Sequence, residues 1–248
     1  MKISIITVAF NAESTIADSV KSVIAQNYTD LEYIIIDGNS KDKTVEIVKS
    51  FDWKKMKVIS EPDNGIYDAM NKGLKLATGD VIGFLNADDL YYSSDTIETI
   101  MNTFIKDKVD SIYGDLIYID PINTTKIIRY WRSSLFSKNK FYFGWMPPHP
   151  TFFTLRQNYV RYGGFRTDFG SAADYELMLR FLVVNNITTK YISKIIVKMR
   201  TGGKSNVNLT ARLAANKMDL RAWKENNLRP FFALRLFKPL RKIHQYFN

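Results

Sequence analysis

Two hydrophobic rhythms alternate along the first third of the chain. Residues 3–10 form a nearly continuous apolar and β-branched run, as a strand buried on both faces requires. Ile16, Val20, Val23 and Ile24 then recur at helical spacing, and Asn11 or Ser14 is placed to cap that helix. The exchange repeats. A strand over 31–36 ends in the turn cluster Asp37-Gly38-Asn39-Ser40, Thr44, Val45 and Val48 open a helix, and 56–60 is a third strand. Ile66, Ala69, Met70, Gly73, Leu74 and Ala77 line one side of a helix from about Gly65 to Ala77. A fourth strand over 81–85 ends at Asn86-Ala87-Asp88-Asp89. This β-α-β-α-β-α-β order predicts an α/β fold, a mostly parallel sheet flanked by helices on both faces.

Beyond residue 90 the pattern is less regular. A helix is expected over 97–105, strands within 111–130 around a Pro121-Ile122-Asn123 turn, and a stiff loop from Met146 to Pro150. Leu177, Met178, Phe181 and Leu182 predict a helix over 174–184, and strands follow within 187–199. Gly202 and Gly203 fall in a polar stretch that reads as a mobile loop. With no repeat and no linker, one domain is expected over 1–228, followed by a basic amphipathic segment over 229–248.

Composition narrows the classes. A chain of 248 residues with 46% hydrophobic and 24% charged positions can bury one sizeable core. It has no cysteine, which excludes disulfides and thiolate metal sites and fits a reducing, cytoplasmic setting. No run approaches the roughly 20 apolar residues of a membrane span, and the opening run lacks the cleavage pattern of a signal peptide, so a soluble or peripheral protein is expected. Half of the net charge of +10 sits in the last segment, on Arg229, Arg235, Lys238, Arg241 and Lys242. Interleaved with Phe231, Phe232, Leu234, Leu236, Phe237, Leu240 and Ile243, these suit a segment lying on an anionic membrane; packing against the domain or a second subunit is the alternative. Clustering of charge in that segment argues against a nucleic-acid-binding module.

In open α/β sheets ligands bind beyond the carboxyl ends of the strands. Asn11 and Glu13 follow the first strand, Asp37 the second, Asp88 and Asp89 the fourth. An acidic residue after the second strand can hold a ribose hydroxyl or a base N–H, while the missing G-x-G-x-x-G turn argues against NAD. Asp88 and Asp89 offer hard oxygen ligands for Mn²⁺ or Mg²⁺. The plainer alternatives are that Asp37 forms a turn before Gly38 and that Asp88-Asp89 cap a helix before Leu90.

Three ordered stretches, SIITVAFNAE, IIIDGNSKDKT and EPDNGIYDAMNKGLKLATGDVIGFLNADD, together resemble glycosyltransferase family 2, over Met1 to about Ser205. DNGIYDAMNKG and the later TGGKSN are similar to its bacterial exopolysaccharide and O-antigen transferases. The resemblance implies a nucleotide-diphospho-sugar transferase (GT-A) fold and inverting transfer of a sugar from a nucleotide-diphosphate donor, by preference UDP-linked. The acceptor would be a hydroxyl of a saccharide or lipid-linked saccharide. It further implies that Thr7, Ala9 and Asp37 contact the base, that Asn11 and Glu13 lie on the nucleotide side near the ribose, and that Asn71 borders the donor pocket. Asp88 would carry the metal, with Asp89 beside it. The family's first D-x-D aspartate is Asn86 here, a weaker partner for metal or ribose. The family's base motif, E-D-x-x-L-x-x-R, matches Ala173-Asp174-Tyr175-Glu176-Leu177-Met178-Leu179-Arg180, with Asp174 as base and Ala173 in place of the glutamate. The alternative is that Asp174 caps its helix, with Glu176 on a solvated face.

His149, between Pro148 and Pro150, is a candidate for metal or diphosphate contact. Arg200, Lys204 and Ser205 flank the glycine pair as a candidate phosphate lid, with Lys204 on the donor. Tyr142, Phe143, Trp131 and Trp145 could stack on sugars, although aromatics this frequent are mostly core. The Q-x-x-R-W motif of processive members is missing, so addition of a single sugar is expected. A catalytically inactive, nucleotide-binding relative is the alternative that Asn86 and Ala173 leave open.

Overall fold

The computed structural model describes residues 1–202 and 209–229, with backbone alone over 209–216. The expectations for Gly203, Lys204, Ser205 and the segment from Pro230 onward lie outside the described residues.

Four parallel strands form the first half of the sheet. β1 (Ile3–Ala9) pairs with β2 (Leu31–Asp37) and β4 (Val81–Phe84), and β2 pairs with β3 (Met56–Ser60). β1 is buried at every position, which explains why its sequence shows no alternation. Its two faces feed separate cores. Ile3 and Ile5 join the cluster under α1 (Ile16–Ile24), α2 (Thr44–Lys49) and α4 (Thr96–Asp107). Ile6 and Val8 join the cluster that holds α3 (Ile66–Leu76) and the later helices. Gly73 of α3 lets that helix approach the sheet, since a Cβ there would sit 2.4 Å from Ile6 Cγ2.

The second half is mixed. β6 (Ser111–Ile119) and β9 (Thr189–Arg200) run parallel, while β8 (Phe153–Leu155) bridges β4 and β6 antiparallel to both. The two-residue β5 (Leu90–Tyr91) pairs antiparallel with β9, and β7 (Ile127–Trp131) forms a hairpin with β6 at the sheet margin. α5 (Lys138–Tyr142), a 3₁₀ turn over His149–Thr151 and α6 (Arg156–Tyr162) fill the connections. α7 (Ala173–Met178) continues as a wide π turn over Leu179–Val184, so the helix expected over 174–184 is present in two geometries. α8 (Leu209–Glu225) packs against α7.

Two local expectations are corrected. Neither Asn11 nor Ser14 caps α1: Thr15 is the N-cap, without a side-chain bond, and the N–H groups of Thr15 and Ile16 go to the Ala12 carbonyl. Asp88-Asp89 begin no helix, because the chain next enters β5, recruited by β9 rather than by local propensity.

Candidate functional site

The carboxyl ends of β1 and β2 lie side by side, Ala9 in register with Asp37. Two loops leave that edge and are laced together by the turn residues. Asn11 N–H donates to Ser40 Oγ (2.8 Å) and Asn11 Oδ1 accepts from Lys41 N–H (2.9 Å). Glu13 N–H donates to Asp42 Oδ2 (3.0 Å), Glu13 Oε2 accepts from Lys43 N–H (3.0 Å), and Ala12 N–H donates to Thr44 Oγ1 (2.8 Å). Asn11 and Asn39 both adopt left-handed backbone, φ +50° and +65°, a conformation asparagine tolerates better than most residues. Ser40, expected only as a turn residue, Thr44, expected only as a helix opener, and Asp42 thus form the clamp that shapes the edge.

Asp37 is 1% exposed. Its Oδ2 accepts from Ser40 N–H (3.0 Å) and Ser60 Oγ (2.6 Å), and its Oδ1 from Ser40 Oγ, so it does form the turn before Gly38. Thr7 is fully buried and its Oγ1 accepts from the Tyr33 hydroxyl at 3.0 Å, so its side chain points into the core beneath the edge. Asn71 uses its amide twice on one residue, donating to Phe165 O (2.8 Å) and accepting from Phe165 N–H (2.9 Å). It fastens α3 to the segment ahead of α7.

After β4 the chain turns on Asn86, whose carbonyl accepts from Asp89 N–H (3.1 Å) and Ser19 Oγ (3.1 Å). Asn86 Nδ2 donates to Asp89 Oδ2 at 3.2 Å, while Asp89 Oδ1 is buried with no hydrogen-bond partner. Burial, and then the neighbouring Asp88 charge, push the Asp89 carboxyl well above the usual range. Burial also raises Asp88, and Arg200 offsets this only in part. Arg200 itself is 5% exposed and fully engaged: it ion-pairs with Asp18 (2.6 Å) and donates to the carbonyls of Asp88 (2.9 Å) and Pro121 (3.2 Å). It braces the turn from behind; the loop expected to close over the phosphates lies outside the described residues from Gly203. Two adjacent, desolvated carboxylates with one shared cation nearby suit a divalent ion held by Asp88, with Asp89 backing it.

The third element is Asp174, in the first turn of α7. The N-cap of α7 is Ala172, so Asp174 does not cap the helix; its Oδ1 accepts from Tyr175 N–H at 2.7 Å. Its Oδ2 lies 3.1 Å from His149 Nδ1. The sequence reading placed these two residues in separate roles; the fold puts them in contact, with Nε2 as the imidazole's other ligand atom. Tyr67 also reaches Asp174. Its hydroxyl is raised well above the usual range by burial and by the Asp174 charge. Tyr67 comes from the first turn of α3 and packs on Phe165, ring centroids 5.4 Å apart. No signal in the sequence pairs residues so distant, although DNGIYDAMNKG marked the stretch.

Glu176 is fully buried, not solvated. Arg180, one helical turn on, grips it with two bonds of 2.9 Å and donates to the carbonyls of Tyr162, Gly163 and Gly164. The motif residues around Asp174 therefore fix the frame in which it sits. Trp145 and Tyr142 belong to core aromatic contacts, Trp145 with Phe141 (6.0 Å) and Tyr142 with Trp223 (4.6 Å).

Known proteins resemble this chain in sequence and in fold. The family model described as glycosyl transferase family 2 matches residues 4–166. An uncharacterized glycosyltransferase of Mycobacterium tuberculosis is 34% identical over 195 residues, spanning 73% of this chain and 69% of that protein. A PGL/p-HBAD biosynthesis glycosyltransferase of Mycobacterium bovis is 28% identical over 207 residues, spanning 82% and 78%. Among solved structures, S. aureus TarS in complex with UDP-GlcNAc matches with a TM-score of 0.68 at 16% identity, covering 99% of this chain and 78% of that one. A mannosyltransferase from Pyrobaculum calidifontis in complex with GDP-Man and Mn²⁺ also gives 0.68, at 18% identity, covering 96% and 71%. At such identities the structural likeness concerns the fold.

Proposed function

The chain belongs to glycosyl transferase family 2, with the GT-A fold, and from that premise we propose that it adds single sugars to an acceptor hydroxyl with inversion. The donor is a nucleotide-diphosphate sugar lying along the edge formed by Ala9, Asn11, Glu13 and Asp37. The product belongs to a cell-surface polysaccharide or glycolipid, a reading supported by relatives named PGL/p-HBAD biosynthesis glycosyltransferase and chondroitin synthase. One observation carries the reading: Asp174 is held at a helix start by His149 and Tyr67, in a fold whose strand ends also carry Asp88.

A sugar hydroxyl is a poor nucleophile until a base takes its proton. Asp174 has one helical N–H on Oδ1, the imidazole on Oδ2 and the Tyr67 hydroxyl within reach, contacts that fix the carboxylate and leave one lone pair for the acceptor proton. His149, with Nδ1 against Oδ2, orients that base. The carboxylate takes the proton as the acceptor oxygen attacks the anomeric carbon from the face opposite the diphosphate, which inverts the configuration. Glu176 and Arg180 keep α7 in place while this happens. Asp88, supported by Asp89, would hold Mn²⁺ or Mg²⁺, which supplies positive charge to the leaving diphosphate. Lys204 and the segment over 229–248 complete the proposal, as a donor contact and a contact to an anionic membrane respectively.

The test is Asp174→Asn. Donor affinity should stay within about twofold, while transfer or donor hydrolysis falls by about 10²- to 10⁴-fold, the usual weight of a general base. Equal activity in the variant would end the assignment. Loss of donor binding together with activity would instead indicate that Asp174 belongs to the donor pocket.

A further inference from the structure

No acidic residue occurs between Asp120 and Asp168, whereas Lys126, Arg129, Arg132, Lys138 and Lys140 all fall within the first half of that interval. The same interval holds an unusual share of exposed aliphatic side chains. Ile122, at the tip of the β6–β7 hairpin, is 92% exposed, and Leu135, just past β7, is 70% exposed. Ile127 and Ile128 of β7 are exposed as well, although they are adjacent in a strand and so lie toward opposite faces. Singly, exposed aliphatics need no explanation; four of them interleaved with five cations and no anion do.

β7 also occupies a special place. Among the described residues it pairs only with β6 and forms a margin of the sheet. The Arg129 guanidinium lies over the cross-strand Tyr118 ring, 3.8 Å from its centroid, which keeps a cation on this margin. From β7 the chain runs through α5 directly to His149, the partner of Asp174. The basic and apolar margin is thus covalently continuous with the proposed base.

We propose that the tip and second strand of the β6–β7 hairpin and the segment into α5, residues 121–140, form a docking surface for an anionic lipid bilayer. Charge and apolar content both match that occupant: phosphate headgroups neutralise the cations, and the aliphatic tips of Ile122, Ile128 and Leu135 enter the headgroup–acyl boundary. A second copy of the chain fits less well. Antiparallel pairing of two β7 margins about a two-fold axis sets Lys126, Arg129 and Arg132 against like charges. Nucleic acid fits less well too, because single strands are gripped by exposed aromatic platforms, whereas the exposed apolar groups here are aliphatic. This surface is distinct in sequence from the basic segment over 229–248 and does not depend on the transferase reading.

The experiment is co-sedimentation of the full chain with neutral phosphatidylcholine vesicles and with vesicles rich in phosphatidylglycerol. Wild type should bind the anionic vesicles and lose them as salt rises. Lys126→Gln/Arg129→Gln/Arg132→Gln should weaken binding about a hundredfold, since each surface cation contributes roughly a fivefold factor. Ile122→Ser, at a side chain too exposed to affect folding, should weaken it severalfold. Nucleotide-sugar binding by each variant serves as the separate readout: retained donor binding with lost vesicle binding supports the surface whatever sugar is moved. Vesicle binding unchanged in both variants overturns the proposal and leaves the terminal segment as the sole contact. It is equally overturned if wild type binds neither vesicle, if the hairpin variants alter a monomer–dimer equilibrium instead, or if they abolish RNA binding.

Discussion

At the amino-terminal edge of the parallel strands, Glu32 accepts from Lys2 Nζ (2.7 Å), Thr78 Oγ1 (2.8 Å), Thr78 N–H (2.6 Å), Gly79 N–H (3.2 Å) and Ser4 Oγ. Burial alone would raise its carboxyl, but these donors outweigh it and bring the pKa down to about 2. At the carboxyl-terminal edge, Asp88 and Asp89 share one guanidinium, both titrate above the usual range, and one Asp89 oxygen is buried without a partner. The same sheet thus carries a carboxylate satisfied by the protein at one end and carboxylates left short of positive charge at the other. Under the proposed function the first edge serves stability and the second serves binding.

The sharpest break of this comparison is a pair of isosteric neutralisations with opposite readouts. Asp174→Asn should lower transfer about 10²- to 10⁴-fold with the melting temperature nearly unchanged, measured by product formation and calorimetry. Glu32→Gln should do the reverse, costing about 1–3 kcal/mol of stability through orphaned donors and leaving turnover intact. The pH dependence sharpens it further. Because its folded pKa is depressed, Glu32 gives stability that is present above about 4.5 and lost as pH falls toward 2. Denaturant titrations of Glu32→Gln should lack that acid limb.

Asp89→Asn addresses the other edge. Its pKa is raised, so its folded-state advantage exists below the usual carboxylate range and is lost as pH rises. Measured with chelator at neutral pH, the variant should be more stable than wild type by about 1 kcal/mol, with weaker donor binding in Mn²⁺. The smallest expected effect is Tyr67→Phe, a severalfold loss of transfer with unchanged donor affinity, since it removes one contact to the base and no charge.

The parallel half of the fold is legible in sequence because strands buried on both faces must be apolar throughout, and Ile3 to Ala9 or Leu31 to Asp37 admit no other reading. β5 and β8, two and three residues long, carry no period to read; pairing with β9, β4 and β6 creates them. The site divides along the same line. Asp37, Asp88 and Asp174 could be singled out because each sits beside a turn or helix start within a recognisable local stretch. The contacts of Tyr67 and His149 with Asp174 arise only when α3 and the 3₁₀ turn pack beside α7, and Glu176 is buried because Arg180 travels with it. The neighbours of Asp174 leave no spacing in the chain, whereas the Glu176–Arg180 pair has the i, i+4 spacing of one helical turn.

The most direct measurement is the melting temperature of the full chain with UDP or GDP, in Mn²⁺ and in chelator, for wild type and Asp88→Ala. The account predicts that one nucleotide raises the wild-type value by about 5–10 °C at a hundredfold excess over its dissociation constant, in Mn²⁺ only, and that Asp88→Ala shows no rise. An equal rise in chelator, or in Asp88→Ala, would contradict it.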